Sequence, residues 1–235
     1  MKVKLENKNI NFNLIYKKRK TLKISIEPNG EIKVEAPIIV KDEEVLRIIK
    51  SKAKWIINKQ EEIKKINDEK IEREAIYGKC YLYLGKYYPL KLTVDKSIKM
   101  IYVNLAGENL IVVSNTYDEE KVQLAIKKWY KEKTLERAKE RISYYENYFY
   151  DKVKDIKVKE QKARWASCTY DNKILFNYRI IMAPSLIFDY IVVHEMCHMK
   201  HKNHSKEYWK SVKEILLDYK ERKLWLRKNG IKLTL

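Results

Sequence analysis

Glycine and proline are scarce in this chain, five and four among 235 residues. That excludes a collagen-like, linker-rich or low-complexity polypeptide. The three cysteines, Cys80, Cys168 and Cys197, are odd in number and far apart. They give no disulfide framework and point to a reducing compartment. No apolar run approaches the ~20 residues that cross a bilayer. The first twenty residues, MKVKLENKNINFNLIYKKRK, lack the apolar core of a secretory leader. The expectation is a cytoplasmic protein with no membrane partner. Histidine is just as rare, with four in the chain. All four, His194, His198, His201 and His204, fall inside the single stretch VVHEMCHMKHKNH, Val192 to His204.

What is abundant is apolar and charged surface. Hydrophobic residues make up 45% and charged residues 35%, a globular composition with enough length for a large domain or two lobes. The formal net charge is +19, which admits an anionic partner such as a nucleotide or a nucleic acid. The lysines are spread along the whole chain, however, so the charge reads first as a general bias and not as a dedicated nucleic-acid surface.

The pattern along the chain is mixed α+β. Leu22, Ile24 and Ile26 alternate, Pro28-Asn29-Gly30 makes a turn, and Ile32, Val34 and Ala36 resume the alternation. This predicts a β-hairpin with glycine where φ is positive. Beyond Pro37, Asp42 is placed as an N-cap. Val45, Ile48, Ile49, Lys52, Trp55 and Ile56 then recur at helical spacing, predicting one helix to about Glu74. Residues Lys79 to Ser114 alternate again as strands. Thr116 to Glu119 matches a capping box that opens a long helix with Val122, Ile126, Trp129, Ala138, Ile142 and Tyr145 on its buried stripe. Short strands follow around Ile156–Lys159, Arg164–Cys168 and Lys173–Tyr178. Pro184 and Ser185 then introduce an apolar helix carrying the histidines, and a last helix spans about Lys206 to Tyr219 before a tail with Leu224, Trp225 and Leu226. The lobe boundary is placed near Tyr117, giving a β-rich N-terminal lobe with a long helix over 1–117 and a second lobe over 118–235.

His194 and His198 are i and i+4, one turn apart on one face of a helix. Two imidazoles so placed can reach one cation at the ~2.0–2.1 Å of a zinc–nitrogen bond. Glu195 lies about 100° around the helix, off that face and within reach of a water on the metal, the place of a general base. A catalytic zinc needs a third protein ligand and an open position. Three ligands on one straight helix do not converge, since two turns separate the outer Cα atoms by ~10 Å. The chain must therefore turn back. Asn203 tolerates the left-handed conformation that ends a helix and Ser205 can cap the next, so His204 is the preferred third ligand. His201 is then an outer-sphere or surface residue. Glu207 and Glu214 remain weaker candidates, and Cys197 packs as a small apolar side chain.

The spacing HEMCHMKHKNH equals that of the metzincin zinc peptidases, but His201 stands at their turn glycine and no Met-turn follows. The chain more closely resembles the YgjP-like (SprT-like) zinc metallopeptidases. The resemblance is carried by TLKISIEPNGEIKVEAP at Thr21–Pro37, RWASC at Arg164–Cys168, LFNYRIIMAP at Leu175–Pro184 and VVHEMCHMKHKNHSKEYW at Val192–Trp209. Ala166 departs from it, standing where that family usually has glycine. The resemblance implies a zincin-like catalytic lobe, zinc on His194, His198 and His204, and Glu195 as catalytic base. The expected function is zinc-dependent hydrolysis of a peptide or protein substrate. Arg164, Tyr178 and Arg179, just before the metal helix, are the candidates for stabilising the oxyanion. The strand around Arg164–Cys168 could alternatively edge the cleft and pair with substrate backbone. Alternatives from other classes are a metal-dependent nucleotide pyrophosphatase and a nucleic-acid-associated SprT-like protein. Nothing in the sequence sets the oligomeric state.

Overall fold

The structure is a computed structural model describing residues 1–4, 9–161 and 163–235. It is mixed α+β, and its Cα packing divides into two compact units, Met1–Ile76 and Tyr77–Leu235. The strands of residues 80–114, which the sequence reading grouped with the N-terminal lobe, pack within the second unit. No helix among the described residues is long and apolar enough to cross a membrane.

In the first unit, β1 (Lys2–Lys4) pairs antiparallel with β2 (Asn9–Asn11). A second sheet has the order β3-β5-β4, from β3 (Asn13–Lys17), β4 (Lys23–Ile26) and β5 (Ile32–Pro37). The expected hairpin is β4–β5, paired Ile26↔Ile32 and turned by Gly30 at φ +85°. Val34 and Ala36 of β5 pack against Val45 and Ile49 of α1 (Asp42–Ser51) and Ile56 of α2 (Ala53–Tyr77), all fully buried. Two expectations fail here. Asp42 is the first helical residue and Lys41 precedes it as a cap without a side-chain bond. The single predicted helix is also two, because Lys52 leaves helical geometry at φ −101°, ψ 5°. The buried face nevertheless continues across the break, with Ile56, i+7 from Ile49, in the core and Trp55 exposed.

In the second unit, β6 (Cys80–Tyr83), β7 (Lys86–Val94), β8 (Tyr102–Ala106) and β9 (Asn109–Ser114) form a sheet ordered β6-β7-β9-β8. The long helix α3 (Glu119–Tyr145) buries the stripe expected of it. Its cap is Asp118, which accepts from the N–H groups of Glu120 and Lys121, while Thr116 instead accepts from Asp118 N–H. A three-stranded sheet follows with the order β10-β12-β11, from β10 (Asp155–Lys159), β11 (Ala166–Cys168) and β12 (Lys173–Asn177). β11 is antiparallel to β12 and forms one edge. Ala166 sits buried in this strand at a negative φ, so its Cβ is accommodated.

Helix α4 (Ser185–Lys200) is buried on nearly every side, with eleven of its sixteen residues in the core. Fully burying an aliphatic or aromatic side chain is worth about 1.5–3 kcal/mol, so this helix is the best-anchored platform in the unit. α5 (Lys206–Ile215) and α6 (Tyr219–Asn229) complete the chain. The predicted last helix breaks where Leu216 turns extended, φ −128°, ψ 94°, and goes into the core; the predicted tail is α6.

One polar side chain interrupts the apolar part of α4. Asp189 takes two bonds from the Arg141 guanidinium of α3, at 2.6 and 3.0 Å, and a third from the Tyr145 hydroxyl at 3.2 Å. It is 6% exposed. Asp189→Ala is expected to lower the unfolding free energy by about 3 kcal/mol, since it strands a largely buried guanidinium. A urea titration followed by tryptophan fluorescence measures it.

Candidate metal centre and active-site cleft

Histidine spacing on α4 puts the His194 and His198 rings side by side, with centroids 5.1 Å apart. The helix stops at Lys200, and His201 departs in an extended conformation, φ −116°, ψ 104°. The turn is therefore not made by a left-handed Asn203; among the described residues only Leu84 and Asn172 are non-glycine residues at positive φ. Asn203 instead accepts from Ser205 N–H at 3.2 Å, and Ser205 caps α5 by accepting from Tyr208 N–H, as expected of it. The reversal brings His204 back over the helix. Its Nε2 lies 3.2 Å from His198 Nε2 and 3.2 Å from His194 Nε2. Among the described residues these three form the one group of His, Cys, Asp and Glu side chains spaced to hold a metal ion.

The cluster is fixed from behind. His198 Nδ1 lies 2.9 Å from the His201 carbonyl. Since that oxygen only accepts, the proton belongs on Nδ1 and the Nε2 lone pair faces the other imidazoles. The His201 ring is turned away and bonds Ser211 at 3.2 Å. Tyr208 stacks on His198 with centroids 4.6 Å apart, and its hydroxyl donates to the His194 carbonyl at 3.0 Å. Trp209 stacks on His204 at 5.5 Å. Burial, with the neighbouring imidazoles, pushes His194 down to about 3, so it is neutral at physiological pH. Burial and His198 lower His204 in the same direction.

Glu195 is 4% exposed and opens on the same cleft, a cavity of about 710 Å³ walled by β11, α4 and α6. Burial raises its carboxyl to about 7, against the opposing pull of the Cys168 backbone N–H and the Arg164 charge. A carboxylate held there is poised to exchange a proton near neutrality.

Of the other predicted residues, Arg164 lines this cleft. Tyr178 does not. It is 3% exposed in the core, Lys127 covers its ring at 5.6 Å, and its carbonyl accepts from Thr134. The reason is local: Tyr178 opens a 3₁₀ turn, Tyr178–Met182, that packs on α3. Arg179 is likewise structural, donating to the Gln161 carbonyl at 2.7 Å and lying 5.7 Å from the Trp165 ring. Glu214 lines a separate cavity with Cys197, whose thiol is buried and pushed up to about 12, and Glu207 bonds at its own helix start. Four charged or aromatic cleft residues were not singled out from the sequence: Tyr190, Lys202, Lys223 and Arg227. Tyr190 is i−4 from His194, a spacing that could have exposed it; Lys202 lies inside the histidine stretch, and the other two sit on α6, read as a tail.

The sequence profile of a family described as "YgjP-like, metallopeptidase domain" matches residues 20–229. No curated protein matches the chain. Among solved structures, the metallopeptidase zymogen of Pyrococcus abyssi abylysin is similar over 41% of this chain and 92% of that one, with 20% identity and a TM-score of 0.31. That likeness is too distant to carry an argument. The profile match is of another order, running from the first hairpin to the end of α6, and by it the chain belongs to the YgjP-like metallopeptidase family.

Proposed function

We propose that the chain is a zinc-dependent peptidase with a zincin-like catalytic lobe, in which His194, His198 and His204 hold the ion and Glu195 is the general base. One observation carries this reading: His204 Nε2 is 3.2 Å from two other imidazole nitrogens at once. His198 Nε2 carries a lone pair, so both contacts cannot be directed hydrogen bonds: a proton on His204 Nε2 points at one imidazole alone, and a proton on His194 Nε2 leaves the His204 and His198 lone pairs facing each other. A cation satisfies all three nitrogens. Nitrogens at ~2.0–2.1 Å from a tetrahedral zinc stand roughly 3.3 Å apart, which these spacings fit. Three neutral nitrogen donors leave one coordination position open, as catalytic sites require.

Zinc, when bound, supplies Lewis acidity, polarising a carbonyl and bringing a water towards a pKa of ~7. Everything else is done by the chain. Glu195 removes the proton from the attacking water and returns it to the leaving amine. The Cys168 N–H holds that carboxylate in place. The free edge of β11 offers an extended peptide its main-chain partners, fixing the scissile carbonyl beside Glu195. Arg164 and Tyr190, through its phenolic O–H, both line the cleft and are the groups able to stabilise charge developing on the carbonyl oxygen. The free thiols of Cys80, Cys168 and Cys197 suit a reducing cytoplasm.

The test combines metal analysis with hydrolysis. Expected are one zinc per chain and cleavage of casein that stops on chelation and returns with zinc. Phosphate release from nucleoside triphosphates without any peptide cleavage, abolished by Glu195→Gln, overturns the proposal.

A further inference from the structure

The charges lining the cleft are of one sign. Arg164, at the approach to β11, Lys202, and Lys223 and Arg227 of α6 all line it. The one carboxylate among the lining residues is the buried Glu195. A chain of net charge +19 has cations everywhere, so number alone means little. What distinguishes the cleft is that four cations converge on one cavity whose one lining carboxylate is buried. Some cations elsewhere meet carboxylates, such as Lys79 with Glu119 at 2.7 Å, Lys86 with Glu108 at 2.8 Å and Lys173 with Asp171 at 2.7 Å. Among the described residues none of the four cleft cations has a carboxylate within ion-pair distance.

α6 carries both a paired cation and cleft-lining ones. Arg222 pairs with Asp218 at 2.9 Å and donates to the Leu186 carbonyl at 2.9 Å. Its neighbour Lys223 turns to the cleft, with Nζ 4.0 Å over the Trp209 ring, which itself stacks on His204. Arg227 follows one turn later on the same face. Lys202 is held at the far end of β11, 3.3 Å from the Tyr170 carbonyl. Cations thus flank the imidazole cluster from both α6 and the β11 side, where residues on either side of a scissile bond would lie.

We infer that this cleft selects peptides carrying Asp or Glu side chains beside the scissile bond, with Lys223 and Arg227 as the principal selecting groups. The inference rests on the peptidase reading above and names its substrate class. Unpaired cations around a cleft attract carboxylates and repel basic peptides, which sets specificity more than bulk affinity.

The test reads binding apart from cleavage. Zinc-loaded Glu195→Gln protein is titrated into two fluorescein-labelled peptides identical except for Glu or Gln at the two positions flanking the cleavable bond. At low salt the Glu peptide is expected to bind about tenfold tighter, an advantage that shrinks as salt screens exposed charges. Adding Lys223→Glu and Arg227→Glu is expected to remove or invert the preference. Should that variant fail to fold by circular dichroism, Lys223→Gln with Arg227→Gln replaces it and removes the preference. Equal affinity for the two peptides, or a preference untouched by the α6 variants, overturns the inference. So does variant-sensitive binding of ATP with no discrimination between the peptides. Wild-type cleavage is scored separately: no hydrolysis of any peptide defeats the peptidase reading, whereas cleavage of both peptides at equal affinity defeats the acidic preference alone.

Discussion

Glu195→Gln is expected to reduce hydrolysis by ~10²–10⁴-fold while leaving zinc content unchanged. The amide keeps the size of the side chain in a site that is 4% exposed, so packing around α4 is preserved. It still accepts from the Cys168 N–H. What it cannot do is take a proton from water. Rate and zinc content measured on the same sample separate a lost base from a lost metal, and a variant that keeps near-normal turnover removes Glu195 from the mechanism. The same substitution has a stability signature in metal-free protein. Burial raises the folded carboxyl from its ordinary value to about 7, so the native state binds the proton more tightly than the unfolded chain. Stability from this group is complete below the unfolded carboxylate pKa and is lost as pH rises through about 7. The variant lacks that loss. Denaturant titrations of both proteins at pH 5 and pH 8 isolate the difference, because the opposite contribution of neutral His194 is common to both.

The parts of the site that were legible in the sequence are those fixed by local periodicity. His194, Glu195 and His198 are placed by α4 alone, and the apolar run before them dictates that helix. Ser205 was legible because a hydroxyl before a helix start has one dominant use. His204 was reachable by elimination, yet the turn that delivers it was not. That turn is set by the His198–His201 carbonyl bond and by Tyr208 and Trp209 stacking, which are contacts between elements. Tyr178 failed for the same reason: its position before α4 is local, but its burial against α3 is tertiary. Helical breaks at Lys52 and Leu216 carry no glycine or proline to announce them. The order β6-β7-β9-β8, with its parallel β7–β9 pair, joins residues distant in sequence and leaves no trace in strand alternation. Lys223 and Arg227 look like any other basic residues of a +19 chain until α6 gives them a common face.

His204→Ala is expected to weaken zinc binding by more than about a hundredfold, beyond the 10–100-fold that loss of an outer-sphere partner costs. The loss should leave the fold intact. His204 is exposed in the turn between α4 and α5, and among the described residues its ring packs on the rings of His194, His198, Tyr208 and Trp209. Two imidazoles remaining at one helical turn cannot enclose a tetrahedral ion, and the open positions pass to solvent. The adjacent His201 is the internal control. Its carbonyl orients His198, whereas its ring bonds only Ser211; His201→Ala keeps the carbonyl and is expected to bind zinc within a few-fold of wild type. Thermal melts with and without zinc read both variants. An ion that binds only the folded state at 100 times its Kd stabilises by about 2.7 kcal/mol, so the zinc-dependent rise in Tm persists in His201→Ala and disappears in His204→Ala. The reverse pattern would place the third ligand at position 201, and then the Nε2 cluster at His204 would have no role in holding the metal.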